Sequence, residues 1–185
     1  MRKRLFIGVP VPKDFVLKLH EFKKNIRNLP DARWVNDENI HLTVCFLGNV
    51  NESLVPKLIE TIISCLQFQN AITLEFDKYR LAPWRSGPGT IWARFEDSEE
   101  WYSFTKKIFE SCRPYMEKNP DQKKQIPHIT LARIKKFVPG ILINFPEREM
   151  SGKKFLVNRC NLYESELAPG GSKYTVMKNF NFPHS

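Results

Sequence analysis

The 185-residue chain is 42% hydrophobic and 12% aromatic, which is enough apolar surface for a packed core and too much for a disordered polyelectrolyte. Its 29 lysines and arginines against 20 acidic residues give a net charge of +9, which favours a polyanion such as nucleic acid over an acidic or neutral partner, with a merely solvated basic surface as the bland alternative. The apolar run after Arg2-Lys3-Arg4 stops after about five residues, short of the ~7–15 of a secretory leader, and no run approaches the ~18 of a membrane span, so a cytoplasmic protein with no membrane partner is expected.

Leu5 to Val9 reads as a buried strand, and Phe15, Leu19, Phe22 and Ile26 then recur at helical spacing beyond Pro10 and Pro12. Ile40 to Leu47 reads as a second strand ending at Gly48-Asn49, and Leu54, Leu58, Ile62 and Cys65 mark a second helix. Ile72, Leu74 and Phe76 alternate as a strand, Pro83 to Gly89 reads as a loop, and Thr90 to Phe95 as a further strand. A third helix is expected from a cap at Asp97, with Glu100 three residues on and a buried stripe at Trp101, Phe104, Ile108, Cys112 and Tyr115. After a polar loop at 118–125 come a strand over 126–134, a short helix near Ile141, and strands near Phe155–Leu162 and Tyr174–Phe180. Cys45, Cys65, Cys112 and Cys160 form no CxxC or Cys/His cluster and are expected to be reduced.

Two strands carry the same short pattern, His41-Leu42-Thr43 and His128-Ile129-Thr130, with the histidines 128 − 41 = 87 positions apart. Side chains at i and i+2 of a strand share a face, so each strand presents an imidazole and a hydroxyl together. An imidazole gives or takes a proton near neutral pH, and a threonine hydroxyl can donate to a phosphate oxygen, so two such pairs facing one cleft would grip a phosphodiester. A single His-x-Thr is more often structural; its recurrence inside two apolar strands, where an imidazole needs a partner or an opening to solvent, favours a cleft. The repeat suggests a pseudo-twofold arrangement.

These segments in full, Asn39-Ile40-His41-Leu42-Thr43-Val44 with Phe46-Leu47-Gly48, and Pro127-His128-Ile129-Thr130-Leu131-Ala132-Arg133, resemble the two-histidine (2H) phosphoesterase superfamily. Within it they are most similar to the bacterial and archaeal RNA 2′,3′-cyclic phosphodiesterases, formerly named 2′-5′ RNA ligases. The opening strand, Trp34, Trp92 and the stretch Leu162 to Gly170 extend the resemblance over nearly the whole chain. It implies an α+β bilobal fold in which two antiparallel β-sheets line a central groove with helices packed outside, residues 1–185 forming a single domain of two pseudo-symmetric lobes. It also implies His41 as proton donor to the leaving ribose O3′, His128 as proton acceptor from water, and Thr43, Thr130 and Arg133 as phosphate-binding residues. No metal and no cofactor are expected, and the partners are RNA with 2′,3′-cyclic phosphate ends or small cyclic nucleotides, bound by a monomer.

Arg133 is awkward in this scheme, because a residue five places after His128 belongs on the opposite face of a regular strand; the strand must twist, bulge or end, or Arg133 is an ordinary exposed arginine. Phe46 stands at the same offset from His41 and either stacks on a base or, the commoner case in an apolar strand, belongs to the core. Trp34 and Trp92 are expected to support the groove, and His20 and His184 to lie at the surface. Lys123-Lys124, Lys135-Lys136 and Lys153-Lys154 either form a basic rim or are solvated. Two alternatives to hydrolysis stay open: joining of the same RNA ends as a 2′-5′ ligase, and RNA binding without turnover.

Overall fold

The computed structural model describes residues 1–26, 32–84, 87–117, 124–134, 150–168 and 171–183. β1 (Arg2–Pro10) runs between β3 (His41–Asn51) and β8 (Arg159–Ala168), antiparallel to both. A strand with neighbours on both sides and packing on both faces has no solvent side, which is why Leu5 to Val9 are all buried without alternation. β9 (Gly171–Asn181) completes this half by pairing with β8. The other half consists of β4 (Ile72–Trp84), β5 (Gly87–Phe95), β6 (His128–Ile134) and β7 (Lys154–Val157), with the short β2 (Ala32–Trp34) on β6.

The strand order is β7-β4-β5-β6-β3-β1-β8-β9, so the expected two sheets are halves of one continuous antiparallel sheet. Their seam is narrow. β3 and β6 meet through one described ladder pair, Leu42 opposite Ile129, and the Gln125 side chain braces it by donating to the Thr43 carbonyl at 3.2 Å.

Helices cover the outside. α1 (Lys13–Asn25) buries Phe15, Leu19 and Phe22, with Phe15 against Phe95 and Phe155 and Phe22 stacked 3.6 Å from Tyr79. It follows β1 yet covers the β4-β5-β7 half. α3 (Glu99–Cys112) follows β5 and packs on β3 and on α2 (Val55–Leu66). The units β1-α1-β3 and β5-α3-β6 therefore echo one another, each sending its helix across to the other half. Trp101, fully buried in α3, fixes the approach to β6 because its indole N–H donates to the Gln125 carbonyl at 2.8 Å.

Several boundaries differ from expectation. Ser98, not Asp97, caps α3: its hydroxyl accepts from the Trp101 amide at 3.2 Å, while Asp97 is engaged by Arg94 and Tyr102. The expected loop from Pro83 is shorter, since β4 runs to Trp84 and β5 begins at Gly87. β2 was not foreseen, being three residues long without apolar alternation. The expected helix near Ile141 lies outside the described residues.

Candidate active site

β3 and β6 bend in the same way. From His41 to Phe46, and from His128 to Arg133, burial runs half-buried, buried, half-buried, buried, buried, exposed. The two consecutive buried residues mark a β-bulge. On β1, Gly8 faces Thr43 and Ile7 faces Cys45, leaving Val44 as the extra residue. On β5, Trp92 faces Thr130 and Ile91 faces Ala132, leaving Leu131 extra. One inserted residue reverses the alternation, so the side chain five places after each histidine returns to the histidine's face. This bulge carries Arg133 into the groove. It does the same for Phe46, which is 66% exposed and lines the groove; the core placement expected for it fails for that reason.

The imidazoles are held alike. His41 Nδ1 donates to the Asn39 carbonyl at 2.6 Å and His128 Nδ1 to the Ile126 carbonyl at 2.8 Å, each two residues back in the chain. These bonds fix the tautomer in which Nε2 is the free nitrogen of each neutral ring. Thr43 Oγ1 lies 3.2 Å from His41 Nε2. An aromatic ring from the neighbouring strand supports each imidazole: Phe6 of β1 at 4.9 Å from His41, and Trp92 of β5 stacked at 3.9 Å on His128. Tyr174 adds an edge contact to His41 at 5.3 Å.

Electrostatics separate the two rings. Burial pushes His41 down to about 4, against the opposing pull of its carbonyl bond, and the charges of His128 and Arg133 push the same way. Burial also lowers His128, again opposed by its bond to a carbonyl. Because a charge on one ring disfavours a charge on the other, the pair resists double protonation, and one acid facing one base is the arrangement it can support.

His41, Thr43, His128, Thr130 and Arg133 line one groove of about 430 Å³, so all five site residues expected from sequence come together. Phe6 and Tyr174 were missed, because an aromatic residue in a strand reads as packing, and only the fold aims them at an imidazole. The remaining candidates lie elsewhere. His20 is half-exposed on α1, 2.7 Å from Asp37; Lys124 covers the Tyr102 ring at 3.8 Å; Lys154 on β7 faces Glu75 at 3.7 Å. His184, Lys123 and Lys135-Lys136 are outside the described residues. Trp34 packs edge-on against Phe22 of α1 at 6.5 Å.

Among the described residues no three His, Cys, Asp or Glu side chains converge as metal ligands. All four cysteines are buried free thiols, and burial raises Cys45 and Cys160 to about 12, far from thiolate chemistry at neutral pH.

A family model for LigT-like phosphoesterases matches residues 9–92, which include the first motif. The RNA 2′,3′-cyclic phosphodiesterase of Thermotoga maritima is 25% identical, covering 97% of this chain and 95% of its own. That of Archaeoglobus fulgidus is also 25% identical, over 96% of this chain and 99% of its own. Among solved structures, a protein of Thermus thermophilus superposes with a TM-score of 0.81 at 24% identity, covering 100% of this chain and 99% of the other. Escherichia coli LigT complexed with 3′-AMP gives 0.79 at 22%, covering 100% of both chains. These structures share the fold.

Proposed function

We propose that this chain, a LigT-like phosphoesterase of the two-histidine superfamily, hydrolyses 2′,3′-cyclic phosphates at RNA ends to 2′-phosphates. The observation that carries the proposal is the matched pair of imidazoles, each tied through Nδ1 to the carbonyl two residues back and each in the same groove with its own threonine. The curated relatives that bear this activity in their names span nearly the whole chain.

In the proposed reaction water attacks phosphorus in line with the P–O3′ bond and gives its proton to His128 Nε2. As that bond breaks, His41 Nε2 protonates O3′, and the phosphate stays on O2′. Thr43 and Thr130 donate to the nonbridging oxygens, and the Arg133 guanidinium stabilises the charge that builds there. Neither step calls on a metal. His41 must carry a proton to act as the acid, yet burial keeps it neutral in the free protein; the bound phosphate anion, close to the ring and shielded from water, favours the imidazolium and restores the proton. Ligation would use an RNA 5′-hydroxyl where hydrolysis uses water, with the same two histidines. Residues 1–185 acting as one cytoplasmic monomer of two pseudo-symmetric lobes is part of the same reading.

The test is incubation with a short RNA ending in a 2′,3′-cyclic phosphate, in EDTA, beside His41→Ala and His128→Ala. Conversion to a 2′-phosphate end that both folded variants lose supports the proposal. Absence of conversion from pH 5 to 9 overturns it, and tight binding without turnover points to an RNA-binding module.

A further inference from the structure

The carbonyls that accept from the two imidazoles are themselves held in different ways. Around Ile126, whose carbonyl accepts from His128, the flanking peptides are anchored through the main chain: the Gln125 carbonyl accepts from the Trp101 indole at 2.8 Å, and the Pro127 carbonyl from the Phe95 amide at 3.0 Å. Asn39, whose carbonyl accepts from His41, ends a three-residue 3-10 turn, Asp37–Asn39. The bonds of that turn are local, from the Asn39 amide to the Asn36 carbonyl at 2.8 Å and from the Ile40 amide to the Asp37 carbonyl at 3.2 Å, and a single 3-10 turn holds a peptide loosely. Asn39 reaches a distant strand through its side chain, whose amide donates to the Ser172 carbonyl of β9 at 2.9 Å. One residue thus meets β9 by its side chain and His41 by its main chain. Ser172 and Tyr174, two apart on β9, both line the groove, so the same anchor sits at the end of β9 that carries the ring edge-on to His41.

Resting on the phosphodiesterase reading, we infer that Asn39 is a positioning residue for the proton donor: its side-chain amide, by gripping β9, keeps its own carbonyl aimed at His41 Nδ1. The aim matters twice. In the imidazolium, Nδ1–H donates to the carbonyl dipole, which favours the charged ring that must exist before O3′ is protonated. In the neutral ring the same bond keeps the hydrogen on Nδ1 and leaves Nε2, the nitrogen beside Thr43, to gain and lose the transferred proton. A peptide turned away gives up both. The titratable and charged groups facing His41 are His128 and Arg133 of β6, Tyr163 of β8 and Tyr174 of β9, and a substitution at Asn39 leaves all four present.

The experiment compares wild type with Asn39→Leu, which keeps the bulk and loses the donor, and with Asn39→Gln, which keeps a donor. Nitrogen NMR of isotope-labelled histidine at neutral pH finds the wild-type His41 proton on Nδ1; in Asn39→Leu it moves wholly or in part to Nε2, while His128, on its own carbonyl, does not change. On an RNA ending in a 2′,3′-cyclic phosphate, Asn39→Leu lowers kcat about tenfold with KM little altered and moves the alkaline limb of kcat down by about one pH unit, and Asn39→Gln recovers most of both. A His41 still protonated on Nδ1 in folded Asn39→Leu, or an unchanged kcat profile, overturns the inference; Asn39→Ala repeats the comparison should Asn39→Leu not melt cooperatively. Should wild type turn over no cyclic phosphate, the phosphodiesterase reading fails by itself, and the His41 tautomer decides: a shift in Asn39→Leu supports the positioning role, and no shift overturns it.

Discussion

Taking the free protein from pH 7 to pH 4 should cost about 3 kcal/mol of stability at His41 alone. Burial sets this figure. The folded ring takes up its proton only near 4, against 6.5 for an unburied histidine. Between those values the unfolded chain holds a proton that the folded protein does not, so acid favours unfolding, and stability rises with pH through the window and levels off above 6.5. At about 1.36 kcal/mol per pH unit, the difference of roughly 2.5 units gives about 3 kcal/mol once the rounded ends of both titrations are included. His128 adds a loss of the same sign. Urea unfolding of wild type and His41→Gln at pH 7, 6, 5 and 4 isolates the His41 part, because His128 titrates in both proteins. The stability difference between the two should move by about 3 kcal/mol in favour of the variant across this range. Inorganic phosphate should reduce the movement, since an anion bound in the groove stabilises the imidazolium and the folded state with it. Parallel stability curves, with a difference independent of pH, would refute the claim that burial keeps His41 neutral.

The same shifts predict that kcat/KM, which reports the free enzyme, has its optimum below 6.5, because both imidazoles are depressed and the bell is centred between the two values of the pair; kcat should peak at higher pH once bound phosphate restores the His41 proton, and coincident profiles would contradict this. In Gly8→Ala the new Cβ would stand 3.1 Å from both His41 Cδ2 and the Leu42 carbonyl oxygen, so the imidazole must shift; a destabilisation of about 1–3 kcal/mol in denaturant titration and a disproportionate fall in kcat are expected. Trp92→Ala removes the ring stacked on His128 and should lower kcat by about ten- to hundredfold in a protein that still melts cooperatively, with Trp92→Phe recovering most of it. Arg133→Gln should lower kcat by about a hundredfold or more in steady-state assays, whereas a strand-end arginine of no consequence would leave it unchanged.

The strands and helices that bury a continuous stripe were legible in the chain, because periodicity records burial directly: Leu5 to Val9, the α1 stripe and the α3 stripe were all found this way. So was the pairing of His with Thr on one face, which needs only the two-residue period of a strand. The next groove positions were hidden by that same period. A bulge inverts alternation without using a glycine or any other distinctive residue, since Val44 and Leu131 are ordinary strand formers, and so Phe46 was assigned to the core and Arg133 seemed misdirected. The α3 cap was misread by one residue because Asp97 and Ser98 are both competent caps, and only the tertiary engagement of Asp97 by Arg94 and Tyr102 decides between them. The bond from Asn39 to Ser172 joins residues 133 positions apart, and neither end carries a pattern that announces the other.

The seam at Leu42 and Ile129 is the narrowest junction between neighbouring strands of the sheet. Elsewhere the strands are zipped along whole ladders, whereas here one residue pair and the Gln125 brace span the junction. Each catalytic candidate sits immediately before a residue of that pair, His41 before Leu42 and His128 before Ile129. A phosphate gripped from both sides would therefore act as a staple across the narrowest junction of the sheet. The stiffening should be greatest at the backbone amides of the seam, so that occupancy of the groove becomes measurable as slower hydrogen exchange at Leu42 and Ile129, without any chemical turnover.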